Sequence, residues 1–231
     1  MIQNIEKMFT QYEVLAEAAD RVFEKVSLEF SKEMKCKKGC SDCCHALFDV
    51  SLVEALYLNH YFNRRFTGED KAVLVEKANR SDRIIYKIKR DARKRLEKGH
   101  TEEDLLVSLA AERVRCPLLS SQNQCDLYEN RPITCRLYGV PTEIGGLTHS
   151  CGLSGFIKGK SYPTVHMEKM NQQLFALAAI FVREISSKFQ ELTGLVMPVS
   201  AALLTEFDDA FLGIGDAESA NAFRKDKEVR E

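Results

Sequence analysis

Two groups of cysteines constrain this chain more than any other feature of its 231 residues. One group lies in the stretch KCKKGCSDCCH, residues 35–45, and the other is spread over residues 116–151. Seventy-one residues without a cysteine separate them. The eight cysteines are Cys36, Cys40, Cys43, Cys44, Cys116, Cys125, Cys135 and Cys151. Any fold must therefore account for thiols concentrated at two places in the chain.

Three explanations for these thiols compete. Structural disulfides need an oxidising compartment, whereas the first residues, MIQNIEKMFTQYEV, carry no signal-peptide pattern, so we expect a cytoplasmic protein. Cys43 and Cys44 also cannot easily pair, because adjacent Cα atoms are about 3.8 Å apart and disulfides span roughly 4.4–6.8 Å. Inert buried thiols explain one or two cysteines, not eight in two groups. Metal ligation by thiolates is the favoured explanation.

The spacing of the thiols suggests how they divide among metal atoms. Side chains of consecutive residues diverge, so we expect Cys43 and Cys44 to bind different metal atoms, in two mononuclear sites or one polynuclear cluster. Gly39 and Gly152 stand where tight turns around a ligand favour a positive φ. Lys35, Lys37 and Lys38 are expected to lower the pKa of nearby thiols. The spacing of three and then two residues also occurs in radical S-adenosylmethionine enzymes, but those loops usually carry an aromatic residue at the position of Asp42.

The remaining sequence predicts a mainly α fold. Apolar residues at helical spacing predict helices over residues 3–34, 51–63, 68–99, 101–113 and 164–191, with a short helix after Pro198. Ser51 and Glu54 form a capping-box pattern. The apolar run LFALAAIFV, residues 174–182, predicts that the helix containing it is central, and it is about half the length of a membrane span.

Between residues 116 and 162 the helical periodicity disappears. TEIGGLTH, residues 142–149, predicts a small β-hairpin inside this Cys-rich irregular segment. We expect residues 1–215 to form a single helical metal-binding domain, followed by a polar tail over 216–231. The irregular segment should fold back onto residues 36–44, because both cysteine groups would then supply one thiolate centre.

Composition and charge exclude few partners but favour none beyond a metal ion. The formal net charge is −1, which gives no general attraction to nucleic acid or to an anionic membrane. A basic run over residues 87–98 lies opposite apolar positions, as on the solvated side of a helix, and lacks the interleaved aromatics typical of nucleic-acid surfaces. No P-loop, GxGxxG, GxSxG or HExxH motif is present. Whether the chain is an enzyme therefore stays open.

The joint pattern CKKGCSDCC and CPLL…CDLYENRPITCRLYG…C resembles the YkgJ-like, or CxxCxxCC, cysteine-cluster family, described as zinc- or iron-chelating domains. The resemblance covers roughly residues 36–55 and 116–151. It implies a bound zinc, iron or iron–sulfur centre, and some relatives combine such a cluster with methyl-transfer or redox activity. The chain departs from the family pattern in its three-residue first gap, which shifts Cys36, and in Gly139, which replaces the usual proline.

Four further residues are candidates for roles around the thiolates. Arg131 and Arg136 flank Cys135 and could balance the negative charge of the centre or bind an anionic partner, or could form ordinary ion pairs. His45 and His149 lie beside cysteines and could ligate metal or donate hydrogen bonds to thiolates. Two functions follow: a zinc protein acting through a partner protein, or an iron–sulfur component of a redox or methyl-transfer enzyme.

Overall fold

The helices predicted from apolar periodicity are present, most of them with boundaries close to those expected. The computed structural model describes residues 2–215, so the predicted polar tail lies outside the described residues. Within that range the α-helices are α1 (Ile2–Glu29), α2 (Leu52–Arg65), α3 (Gly68–Glu97), α4 (Glu102–Ala111), α5 (Ile133–Leu137), α6 (Met167–Glu184) and α7 (Val199–Leu204). The strands are β1 (Asp49–Ser51), β2 (Thr142–Ile144), β3 (Leu147–His149), β4 (Val165–His166) and β5 (Val196–Pro198). The mainly α fold class is confirmed.

Local signals define the ends of the first helices. The Ser51 side chain accepts a hydrogen bond from the Glu54 N–H at 3.4 Å, and a Glu54 carboxylate oxygen accepts one from the Ser51 N–H at 2.9 Å. This arrangement confirms the predicted capping box at the start of α2. At the end of α3, Gly99 takes a φ of 90° and the His100 N–H bonds the carbonyl of Arg95. This is the Schellman pattern, in which glycine avoids Cβ strain.

Helix α2 occupies the centre of the molecule. Every residue from Leu52 to Leu58 is buried. One side of α2 packs with α1 and α6, and the other side shares a core with α3 and α7. The prediction that the helix containing residues 174–182 is central is wrong, because Ala176 and Ala179 on α6 are exposed to solvent. Small alanines allow one face of α6 to remain at the surface at little hydrophobic cost.

Helix α6 is also shorter than the predicted helix over residues 164–191. Its start is delayed because Val165 and His166 form β4, which pairs in parallel with β2. Its end comes early because Ser186 adopts a φ of 52°, outside the helical region. A separate 3₁₀ turn, Gln190–Gly194, follows. The start of α6 therefore depends on pairing with a distant strand, which the local period does not contain.

The predicted hairpin is present. Strands β2 and β3 pair antiparallel, and the connecting Gly145 and Gly146 have φ angles of 59° and 74°. Two positive φ values in a two-residue turn require glycine or a similarly permissive residue, as the Gly-Gly pair supplied. The hairpin and β4 form one small sheet, and β1 pairs antiparallel with β5 in a second.

The long helix α3 presents its basic run to solvent. Its buried side chains are concentrated in the first two thirds, at Leu74, Ala78, Ser81 and Ile85. Of the later basic residues, Lys89 forms an ion pair with Asp49 at 2.6 Å, whereas Arg90 and Arg93 are exposed. The contacts are those of a solvated helix face. None of the described helices has the length and apolar character needed to cross a membrane.

Candidate metal centre

The two cysteine groups meet in space, as predicted from their sequence pattern. The Cys116 N–H donates to the Cys44 carbonyl at 2.7 Å, and the Val114 N–H donates to the His45 carbonyl at 2.9 Å. A further contact brings Cys36 Sγ to 3.5 Å from the Tyr138 carbonyl oxygen. The irregular segment therefore lies directly along the Cys36–Cys44 loop.

Five of the thiols surround one pocket. We call Cys43, Cys44, Cys116, Cys125 and Cys135 the inner cluster. All five line a cavity of about 50 Å³. Each keeps part of its surface accessible, whereas the surrounding wall is mostly apolar and includes Leu118 and Pro132. This arrangement brings soft ligands from both cysteine groups to a single place.

The adjacent cysteines of the inner cluster do not diverge as predicted. Cys43 and Cys44 lie in a 3₁₀ turn, Asp42–His45, and their sulfur atoms are 4.0 Å apart. Two thiolates of one tetrahedral zinc ion, each about 2.3 Å from the metal, would be separated by about 3.8 Å. The expectation that these two side chains diverge is therefore wrong, and with it the reason for assigning them to different metal atoms. The 3₁₀ backbone explains the proximity, because its three residues per turn separate consecutive side chains by about 120°, whereas consecutive side chains of an extended strand point to opposite faces.

The other three thiols form a second neighbourhood. We call Cys36, Cys40 and Cys151, together with the carboxylate of Asp42, the outer cluster. The Cys36 thiol interacts electrostatically with Cys40 and Cys151. Cys151 Sγ donates to a carboxylate oxygen of Asp42 at 3.2 Å. Cys43 is also an electrostatic neighbour of Cys36, so the two clusters adjoin each other.

Gly139, one of the departures from the family pattern, makes room for Cys36. Its φ is 101°, and a Cβ added there would lie 2.5 Å from Cys36 Sγ. Both the backbone angle and the close approach require glycine. The two departures, the longer gap before Cys40 and the glycine after Tyr138, are thus next to each other in space. Gly39 has the predicted positive φ, at 88°, but the prediction for Gly152 is wrong.

A repeated Cys-x-Leu pattern, not recognised in the sequence, supports three of the thiols. The pattern occurs at all four cysteines of the second group, Cys116, Cys125, Cys135 and Cys151, each followed two positions later by a leucine. The Leu153 N–H donates to Cys151 Sγ at 3.4 Å. The N–H groups of Leu118 and Leu127 act on Cys116 and Cys125 in the same way and favour their thiolate forms. The repeat was the sequence signal that could have revealed the turns at Cys116, Cys125 and Cys151, whereas Cys135 and Leu137 lie within a helix.

Cys135 is positioned by α5, a helix of five residues that is too short to show a period in the sequence. The buried carboxylate of Glu54, on α2, contacts the start of α5. One Glu54 oxygen accepts from the Ile133 N–H at 3.0 Å, while the other accepts from the backbone and hydroxyl of Ser51. One side chain therefore caps both α2 and the helix that carries Cys135, a link that the local capping pattern did not predict.

The two arginines beside Cys135 are held by an aspartate of α1. Arg131 and Arg136 each bond one carboxylate oxygen of Asp20, and Arg136 also donates to two backbone carbonyls. Arg131 stacks over the Tyr128 ring at 4.0 Å and lies near Cys125, whose pKa it helps to restrain against the larger effect of burial. Both arginines therefore form ordinary ion pairs, which was one of the alternatives for them. Arg131 also lines the inner pocket.

The two histidines beside cysteines make different contacts. His45 Nδ1 lies 3.0 Å from the Ser41 carbonyl, a contact that closes the 3₁₀ turn. His149 is exposed at the end of β3, where its backbone pairs with Thr142. The contacts of His45 fix the backbone of the Cys43–Cys44 turn.

Burial opposes ionisation of most of the thiols. It raises the pKa of Cys116 to about 12 and that of Cys36 to about 11, and it raises the pKa of Cys135 well above its usual value. The shift of Cys36 is opposite to the lowering expected from the nearby lysines, which are exposed. Within the adjacent pair, the hydrogen bond from Cys44 lowers the pKa of Cys43 to about 7. A bound cation would reverse these effects, because metal ligation requires thiolates and stabilises them.

The donors are near each other but not preassembled around an ion. Within residues 2–215, no three Cys, His, Asp or Glu side chains already form a metal-binding group. Protonated thiols have no reason to converge, since their side chains lack the charge that a cation attracts. Small side-chain rotations, together with proton release, are thus required for ligation.

The family comparison agrees with this chemistry. Residues 35–152, a range that contains all eight cysteines and Asp42, match the CxxCxxCC family, whose description is "putative zinc- or iron-chelating domain". The match covers half of the chain, and the chain therefore belongs to this family of metal-chelating domains. Searches of curated proteins and of solved structures gave no match.

Proposed function

We propose that this protein binds zinc through the thiolates of the inner cluster. The observation that carries the proposal is the convergence of five thiols on one pocket, with Cys43 and Cys44 Sγ 4.0 Å apart. That separation is close to the roughly 3.8 Å edge of a tetrahedral zinc–thiolate site. An apolar wall and backbone N–H groups directed at sulfur suit a stable thiolate site more than an exchanging one.

The proposed role of the zinc is mainly structural. Cys135 belongs to α5, Cys43 and Cys44 to the 3₁₀ turn, and Cys116 and Cys125 to the irregular segment. An ion held by these residues would join three parts of the chain that few regular hydrogen bonds connect. Binding energy of such an ion appears as folding energy, because the unfolded chain has no assembled site.

The biological setting is part of the same proposal. Clustered thiols persist in the reduced state in the cytoplasm, and we place the protein there. Residues 1–215 act as one metal-binding domain whose function is exercised through a partner protein. The solvated contacts of the basic residues on α3 do not favour nucleic acid as that partner.

The test is a metal analysis of anaerobically purified protein. Full-length protein is expressed in medium containing both zinc and iron, and its zinc, iron and acid-labile sulfide are measured per chain. We expect a colourless protein that contains zinc and loses helical circular dichroism when a strong chelator removes the metal. A folded protein that contains neither metal nor sulfide would overturn the proposal.

A second candidate is an iron–sulfur centre within a redox or methyl-transfer enzyme. The observation that favours it is the number of inner thiols, since five exceed the four ligands of one tetrahedral ion. Thiolates also hold iron–sulfur clusters. Brown protein with stoichiometric iron and acid-labile sulfide would establish this candidate in place of zinc.

A further inference from the structure

We propose that Asp42 is a metal ligand and completes a second cation site with Cys36, Cys40 and Cys151. The proposal rests on the proposed function, since it assigns to the outer cluster an ion separate from that of the inner cluster. Asp42 was not among the candidate ligands recognised in the sequence, where it appeared only as the residue before Cys43.

The first argument is the position of the carboxylate. One Asp42 oxygen accepts hydrogen bonds from Cys151 Sγ at 3.2 Å and from the Tyr138 hydroxyl at 2.9 Å. The other oxygen forms an ion pair with Arg113. The side chain is only 18% exposed, so the carboxylate is held in the cluster by its partners. A thiolate and a carboxylate oxygen bound to one zinc ion would be about 3.6 Å apart, close to the observed separation.

The second argument is the number of donors. The outer cluster contains three thiols, and a closed tetrahedral zinc site needs four ligands. Aspartate oxygen is an accepted ligand of zinc, and Asp42 is in direct contact with one of the three thiols. Loss of the Cys151 thiol proton on metal binding would free one lone pair of the oxygen that now accepts it, while that oxygen keeps its bond from Tyr138 and the second oxygen keeps its bond from Arg113. The released thiol protons pass to solvent.

The third argument is charge. Three thiolates and a carboxylate leave a net negative charge around a divalent cation. Arg113 neutralises part of it directly through its bond to Asp42. Exposed lysines at positions 35, 37 and 38 flank Cys36.

The competing explanation is that Asp42 only anchors Arg113 and thereby ties the cysteine loop to the end of α4. Three variants separate the two roles. Asp42→Asn removes the charge but keeps the shape, Asp42→Cys replaces the oxygen ligand by a fourth thiol, and Arg113→Gln removes the ion pair but keeps Asp42. Asp126→Asn is the matched control, because Asp126 lies beside Cys125 without a comparable place in the outer cluster.

Each protein is loaded with zinc or cobalt, and bound ions per chain are counted by native mass spectrometry. We expect two ions in the unmodified protein, Asp126→Asn and Arg113→Gln, and one ion in Asp42→Asn. Asp42→Cys should bind two cobalt ions with stronger thiolate-to-cobalt absorption than the unmodified protein. Circular dichroism establishes that each variant is folded.

Several results would overturn the proposal. Two ions and an unchanged cobalt spectrum in Asp42→Asn would show that Asp42 is not a ligand, as would an equal loss in Arg113→Gln. One ion in the unmodified protein would remove the second site and leave the proposed zinc function intact. No ion in any protein, with the fold preserved, would remove both.

Discussion

The inner and outer clusters hold their thiols by different means. In the inner cluster, the leucines that follow Cys116 and Cys125 are core residues, with Leu118 2% and Leu127 0% exposed. In the outer cluster, the equivalent Leu153 after Cys151 is 60% exposed. The same Cys-x-Leu turn is thus anchored in the core at two positions and lies at the surface at the third.

This difference predicts different energetic roles. Inner thiols are attached to elements whose displacement would open the hydrophobic core, so losing their metal should destabilise the whole fold. Outer thiols are attached to residues 35–41 and to the loop after β3, which contribute little to the core. We therefore expect metal loss there to affect ion binding more than global stability.

The largest effect is expected from Cys135→Ser. It removes a proposed inner ligand from α5. We expect metal content to fall together with a loss of more than about 3 kcal/mol in the free energy of unfolding, since loss of a metal is among the severe mutational mechanisms. Urea unfolding and metal analysis measure the two effects. Cys40→Ser should cost less stability and leave the inner ion in place. Thr134→Ser is the control within α5. Full metal loading in Cys135→Ser would show that Cys135 is not a required ligand.

Gly139→Ala should affect the outer cluster selectively. The substitution places a Cβ 2.5 Å from Cys36 Sγ and also forces alanine into a positive φ, a backbone strain of about 1–3 kcal/mol. Gly159→Ala is the matched control, because Gly159 has a φ of 87° but open space around it. We expect both variants to lose stability but only Gly139→Ala to lose metal. Equal metal content in the two would argue against Cys36 as a ligand.

Glu54→Gln tests the support of the inner cluster. The amide cannot accept hydrogen bonds at both ends, so either α2 or α5 loses its cap, at a cost of about 1–3 kcal/mol for an unsatisfied buried group. Isothermal titration should show weaker zinc binding at the inner site and unchanged binding at the outer one. A uniform weakening of both sites would mean that the clusters are not independent.

The smallest effect near neutral pH is expected in the free energy of unfolding of the metal-free protein, which should depend on pH only at alkaline values. Burial raises the pKa of Cys116 from 9.0 to about 12, so the folded state retains a proton that the unfolded state releases. This contribution to stability is present below pH 9 and is lost as the pH rises towards 12. Denaturant unfolding of the metal-free protein at several pH values measures the loss, which should be smaller in Cys116→Ser. A stability independent of pH above 9 would contradict it.

Local sequence signals were sufficient where the energetics are local. The capping box at Ser51 and the Gly-Gly hairpin turn depend on hydrogen bonds and backbone angles within a few residues, and both were predicted. The sequence was insufficient where residues far apart in the chain make the deciding contacts. Strand β4 shortened α6 through its pairing with β2, and Asp20 of α1 determined the contacts of Arg131 and Arg136.

Apolar periodicity determined that the fold is mainly helical, and the cysteine pattern determined that it is a metal-chelating protein whose two thiol groups meet, because residue type and spacing are properties of the chain itself. Only the tertiary structure decided how the thiols divide. Three contacts decide it: the 4.0 Å approach of Cys43 and Cys44 Sγ in the 3₁₀ turn, the hydrogen bond between Glu54 and the start of α5, and the contact of Asp42 with Cys151. Each depends on how the helices and loops pack in three dimensions.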